Sequence, residues 1–232
     1  MNEFIDTGPV LVISPHLDDA VLSCGQLIKS RHDTTIMTIL AGFPPGTHAG
    51  WSGRTTGLPV ARDANLKRRE EDQRASRALG ARTMWIDLPA QEYGPAESPS
   101  ERVLEIRRAV VAAVATTGAR SVFLPLGITH SDHVTVSDVA LLAVLDSNLE
   151  SYVYMDMPYG QARPGRVRRR LRHIRRNFAV DPLISFTGDL ETKAEAVKAY
   201  SSQVGELEQG FGRYFNRIFT DPEKYWRIRP HA

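Results

Sequence analysis

Apolar runs of strand length return five times along this chain, at 10–13, 35–40, 84–88, 122–126 and 152–157, with helix-length segments between them. Runs this short and this continuous read as strands buried on both faces. The intervening stretches carry helix signals. Ser98, Pro99 and Glu101 form a start, with Ser98 as N-cap, Pro99 at the first position and Glu101 closing a capping box. Val103, Ile106, Val110 and Val114 follow at the spacing of one buried helix face. A more polar helix from 62 stops at Leu79-Gly80, 20–30 reads as a helix of small and apolar residues, and 134–149 as a strongly apolar one. Strands alternating with helices predict βαβ units, right-handed crossovers and an α/β fold with a mostly parallel sheet.

Two polar clusters sit where a strand hands over to a helix. The first is Ser14-Pro15-His16-Leu17-Asp18-Asp19-Ala20, and the second is Thr129-His130-Ser131-Asp132-His133. In a parallel sheet both fall on the edge where ligands bind. His16, Asp19 and one of His130 or His133 would give three protein ligands with an open position, the pattern of a catalytic zinc site. Nitrogen and oxygen donors also suit iron, manganese or cobalt. The competing expectation is two helix caps, with Asp18 and Asp19 serving the helix that follows them.

Two further stretches stand out. Residues 42–61 hold five glycines and three prolines and interrupt the alternation. A loop of that length inside a compact domain is usually functional, and it would hang His48, Trp51 and Arg54 over the same edge, facing substrate. The segment 163–178 holds eight arginines and His173, with Val167, Leu171, Ile174 and Phe178 at helical spacing. It predicts an amphipathic helix whose basic face meets a phosphorylated substrate or an anionic membrane, or is simply solvated. A net charge of +2 gives no reason to expect nucleic acid.

At 232 residues, 42% hydrophobic and 24% charged, the chain has the make-up of one soluble domain over 1–232. One cysteine, Cys24, excludes an internal disulfide framework and fits a reducing cytoplasm. No basic, apolar leader opens the chain, and no run of about 18 apolar residues would form a transmembrane segment.

The clusters also carry a family resemblance. Ser14 to Asp19 resembles the His-Pro-Asp-Asp signature of the PIG-L/LmbE-like N-deacetylases, and Thr129 to His133 resembles their His-x-Asp-His signature. Arg68 to Gly80 is similar to the family's Arg-x-Glu-Glu helix, and Lys198 to Gln203 to its late Tyr-x-Ser-Gln helix. The resemblance implies a Rossmann-like fold and hydrolysis of an N-acetyl group, on an N-acetylglucosamine-type sugar in a glycoconjugate or natural-product intermediate. It implies zinc on His16, Asp19 and His133, and Asp18 as general base. It implies His130 as the group that stabilises the oxyanion or protonates the leaving amine, with Asp132 orienting an imidazole. Arg68, Glu92 and Trp51 become substrate-binding expectations, Glu92 standing in for a family Asp. Leu17 departs from the usual Pro, and Ala20 from a frequent Glu. The alternatives are a metal-dependent amidase or phosphodiesterase on another substrate, and a non-catalytic Rossmann-like binding protein.

Overall fold

A computed structural model describes residues 8–43, 54–93, 98–144, 147 and 149–231. The expected alternation forms β1 (Val10–Ser14), α1 (Asp19–Lys29), β2 (Thr34–Thr38), α2 (Ala61–Leu79), β3 (Arg82–Trp85), α3 (Pro99–Thr117), β4 (Ser121–Pro125), α4 (Ser131–Val144) and β5 (Glu150–Tyr154). Then come α5 (Pro164–Ile174), β6 (Phe178–Val180), β7 (Ile184–Phe186), α6 (Leu190–Lys198), α7 (Ser201–Phe211) and β8 (Glu223–Pro230). The sheet runs β3-β2-β1-β4-β5-β8-β6, with β7 also on β8. It is parallel from β3 to β5 and antiparallel from β8 onward. The fold is therefore the expected α/β one, a mostly parallel sheet flanked by helices.

Strand order fixes where chemistry can happen. The chain leaves β1 toward β2 and β3, then returns to the other side of β1 to lay down β4 and β5. Helices on the two sides of that reversal leave a crevice beyond the carboxyl ends of β1 and β4. Both polar clusters are attached to those two strand ends. Among the described residues no helix is long and apolar enough to cross a membrane.

Several boundaries differ from the sequence expectations. β2 stops at Thr38, and Ile39 and Leu40 turn off to bond the carbonyls of Ser14 and Pro15 at 2.9 Å each. β3 begins at Arg82, two residues early, because its register is set by pairing with β2 rather than by hydrophobicity. β5 ends at Tyr154, which frees 155–157 to bring Asp156 to His133. The Ser98 cap and box form as read, with Ser98 N donating to Glu101 Oε2 at 2.8 Å. The buried stripe of α3 is instead Arg102, Ile106, Val110 and Ala113; Val103 is 41% exposed. α4 runs from Ser131 to Val144, not 134–149. Phe178 continues the helical spacing of the basic segment but belongs to β6. The stretch 42–61 is described only at its ends: 54–56 are helical and α2 begins at Ala61, while His48 and Trp51 lie outside the described residues.

Candidate metal site

Each cluster contains a three-residue turn. Asp18 N donates to His16 O at 3.0 Å, and His130 N donates to Ile128 O at 2.9 Å. Asp18 and Thr129, with φ of 154° and 75°, are the non-glycine residues with positive φ among those described. Such conformations cost about 1–3 kcal/mol each and persist where the surroundings over-determine them. Ser14 braces the first turn: its Oγ donates to His16 O at 2.6 Å and accepts from Ala20 N at 3.0 Å. Gly127 braces the second, with φ of 78°; a Cβ there would stand 2.6 Å from Ser137 Cβ.

These turns bring His16, Asp19 and His133 to one point, each offering a ligand atom within 4.8 Å of the others. Asp19 Oδ2 lies 3.3 Å from His16 Nδ1, 3.2 Å from His133 Nε2 and 2.9 Å from the His16 backbone N–H. The far nitrogen of each imidazole rests on another carboxylate. His16 Nε2 is 2.9 Å from Asp132 Oδ2, and His133 Nδ1 is 2.7 Å from Asp156 Oδ1. A neutral imidazole has one N–H, and these outer carboxylates claim it. The inner nitrogens then present lone pairs toward the Asp19 oxygen, an arrangement that requires a cation. Burial opposes charge on His133, yet the Asp19 charge and the Asp156 bond raise its pKa well above the ordinary histidine value. Burial likewise opposes ionisation of Asp19, but the two imidazoles hold its carboxyl far below the usual range. The donor set therefore fits a divalent metal.

His130, Asp132 and His16 form a second such group. It fits less well: the His130 side chain is 44% exposed, its Nδ1 accepts from Asp132 N at 3.2 Å, and burial with the neighbouring imidazoles lowers its pKa. His130 thus faces the cleft as a neutral ring, and Asp132 orients His16 rather than His130, whose Nδ1 is 3.9 Å away. Asp132 keeps one buried oxygen, Oδ1, without a hydrogen-bond partner among the described residues.

Asp18 stands at the N-cap position of α1, but its side chain makes no capping bond, which removes the helix-cap explanation. Burial first, and the Asp19 charge second, push its pKa up to about 7, against the opposing pull of Arg68 and His16. It opens into a cavity of about 310 Å³ shared with His16, His130 and Arg68. Tyr93, Tyr159, Leu207 and Phe211 supply the apolar part of that cavity.

The two other resembling motifs meet each other. Glu71 on α2 accepts from Ser201 Oγ at 2.9 Å and from Ser202 N and Oγ at 3.0 and 2.6 Å. Asp72 accepts from Tyr200 OH and Trp85 Nε1, both at 2.7 Å. These bonds fix the start of α7 and so aim Leu207 and Phe211 into the cleft. Glu92 lies in the turn Gln91–Tyr93, and its side chain, like all of Trp51, falls outside the described residues.

Sequence reading missed Asp156, Tyr159 and the α7 wall. Asp156 did leave a signal, an acid lodged in the apolar run 152–157. It is buried, and its second oxygen accepts from Gly127 N at 3.0 Å, so one carboxylate ties His133 to the turn of its own cluster. Asp156→Asn is expected to weaken metal affinity roughly 10–100-fold, the usual effect of losing such an orienting partner. Competition with a chelator measures this; unchanged affinity would leave Asp156 only its bond to Gly127.

The chain is similar to known deacetylases. The family model described as PIG-L, GlcNAc-PI de-N-acetylase, matches residues 11–144. The 2'-N-acetylparomamine deacetylase of Streptomyces fradiae is 28% identical over 220 residues, covering 89% of this chain and 77% of that protein. The diacetylchitobiose deacetylase of Thermococcus kodakarensis is 28% identical over 167 residues, 69% of this chain and 58% of its own length. The zinc-inhibited form of teicoplanin deacetylase superposes with a TM-score of 0.79 at 22% identity, covering 97% of this chain and 99% of that one.

Proposed function

The chain belongs to the PIG-L family, and from that premise we propose that it is a metal-dependent hydrolase that removes the N-acetyl group from an N-acetylglucosamine-type sugar in a small glycoconjugate or natural-product intermediate. The observation that carries this reading is the convergence of His16, Asp19 and His133 beside a buried carboxylate, Asp18, that caps nothing. The names of the relatives support the substrate class, since paromamine and chitobiose are amino sugars.

His16, Asp19 and His133 would hold the ion, and zinc is the first choice for two nitrogens and one carboxylate. When bound, a divalent ion supplies Lewis acidity, which makes water a nucleophile near neutral pH and polarises the amide carbonyl. Asp18 takes the proton of the attacking water, and its raised pKa suits a base working near neutrality. His130, a neutral ring at the cleft surface, donates its remaining N–H to the developing oxyanion, and the proton taken by Asp18 passes to the leaving amine. Asp132 holds His16 in the tautomer that binds. Tyr93, Tyr159 and Phe211 offer flat apolar surfaces to a sugar ring, and Arg68 a charged rim. Water and amide leave as acetate and free amine. The buried lone Cys24 supports a reducing, cytoplasmic setting.

The test is acetate release from free N-acetylglucosamine, its nucleotide sugar, its inositol conjugate and a glycosylated natural product. Protein stripped of metal and reloaded with zinc, iron, manganese or cobalt is compared. Because the teicoplanin neighbour is a zinc-inhibited form, zinc is titrated from below one equivalent into excess. Acetate and amine are expected in equal amounts from at least one conjugate, lost on chelation and restored by an ion. Metal-loaded protein that releases no acetate, or releases phosphate instead, would overturn the reading.

A further inference from the structure

Eight of the 24 arginines lie within 163–176, a density that an arginine-rich composition alone does not produce. α5 buries Val167, Leu171 and Ile174 and turns most of the arginines outward. Arg170 is the exception. It is buried, its Nε donates to Leu126 O at 2.8 Å, and its Nη2 donates to Ser137 Oγ at 3.0 Å and Asp138 Oδ1 at 2.5 Å. One arginine thus clamps α5 onto the connector between β4 and α4.

Between helix and connector lies a groove of about 740 Å³, with Arg166, Arg169, Arg172 and Arg176 on one wall and 127–129 on the other. The acid that lines it, Asp138, is already engaged by Arg170. Among the described residues, Arg166, Arg169, Arg172 and Arg176 have no acidic partner. Four uncompensated guanidinium groups within about three helical turns repel one another. An anion is the partner this wall lacks.

Three observations select the anion. The groove is concave, and guanidinium forks bind phosphate oxygens two at a time. The apolar side of α5 is buried against the fold, so it offers nothing to insert among lipid chains. The connector also joins the groove to the cleft: Thr129 lines the first, and the next residue, His130, lines the second. We propose that this groove binds a phosphate or diphosphate group carried by the substrate whose acylated sugar occupies the cleft. This assignment rests on the deacetylase reading for the identity of that sugar, and not for the anion site itself.

The test uses the full metal-loaded chain and inorganic pyrophosphate as probe, followed by titration calorimetry. R169Q/R172Q/R176Q is expected to weaken binding at least roughly tenfold, the equivalent of about one charge-assisted hydrogen bond. R107Q/R108Q on α3 serves as the control for lost positive charge and should bind like the parent. Asp19→Ala should also keep pyrophosphate, since the probe sits outside the metal site. Binding untouched by the triple variant, or lost in Asp19→Ala, overturns the proposal. For an N-acetylglucosamine diphosphate conjugate, the triple variant should raise KM at least roughly tenfold with little change in kcat; equal KM values overturn the link to substrate. If no sugar is deacetylated at all, the deacetylase reading fails while the pyrophosphate titration still decides the groove. Arginine-dependent sedimentation with phosphatidylserine vesicles, without pyrophosphate binding, would assign the face to a membrane surface instead.

Discussion

Asp18→Asn is expected to keep its metal and lose activity by a factor of roughly 10²–10⁴, whereas Asp19→Ala should lose both. The two carboxylates are sequence neighbours, and the turn separates their tasks. Asp19 Oδ2 is within 3.3 Å of two imidazole nitrogens and accepts the His16 N–H. That oxygen is the shared corner of the donor set, so removing it leaves two imidazoles without an anionic ligand. Asp18 is buried beside this corner, its carboxylate bonds no helix N–H, and it is held at a φ of 154°. A carboxylate kept in that conformation, with a pKa pushed up to about 7, is placed to accept a proton. Asparagine keeps the shape and removes the proton acceptor. Metal content and kcat are read on the same preparations. A metal-free Asp18→Asn protein would make Asp18 a ligand, and a fully active one would remove it from the mechanism.

The parts of the molecule legible in sequence were those encoded locally. Strands buried on both faces announce themselves as apolar runs, and the first cluster follows directly on such a run, so β1, β4 and their clusters could be placed on one edge before any coordinates. Capping was equally local: Ser98 and Glu101 are three residues apart and bond as read. What failed depended on partners far along the chain. β8 mixes buried residues with half-buried Lys224 and Arg227 and ends exposed, so it offered no continuous apolar run. Phe178 kept helical spacing by coincidence, because the helix ends at Ile174 and sheet pairing with Pro230 takes over. Asp156 was passed over inside an apolar run. Its meaning comes from His133, 23 residues away, and no period or motif links the two. The Arg68 to Gly80 and Lys198 to Gln203 motifs were visible, but only the fold shows that they bind each other through Glu71 and Asp72.

Glu223→Ala is expected to destabilise the fold by roughly 3–5 kcal/mol, the cost of stranding a buried charge. Glu223 and Lys193 are both fully buried, and their ion pair measures 2.8 Å. The carboxylate also accepts from Gln26 N at 2.8 Å, Leu27 N at 2.9 Å and Tyr225 OH at 2.7 Å. It thereby joins β8, α1 and α6, the elements behind the site. α1 and α6 come close here because residue 25 is glycine; a Cβ on Gly25 would stand 2.8 Å from Lys193 Cγ. The two partners should not be equivalent. Lys193→Met leaves Glu223 three donors, whereas Glu223→Ala leaves the ammonium only the Met157 sulfur at 4.0 Å and also strips an acceptor from two helix N–H groups. Lys193→Met should therefore cost clearly less than Glu223→Ala. Out of a total stability of about 5–15 kcal/mol, the larger loss would leave the variant barely folded. Urea unfolding of both variants gives the comparison through the midpoint at constant m-value. Equal losses, or a loss below about 1 kcal/mol for Glu223→Ala, would mean that water reaches this pair and that β8 is held by its ladder alone.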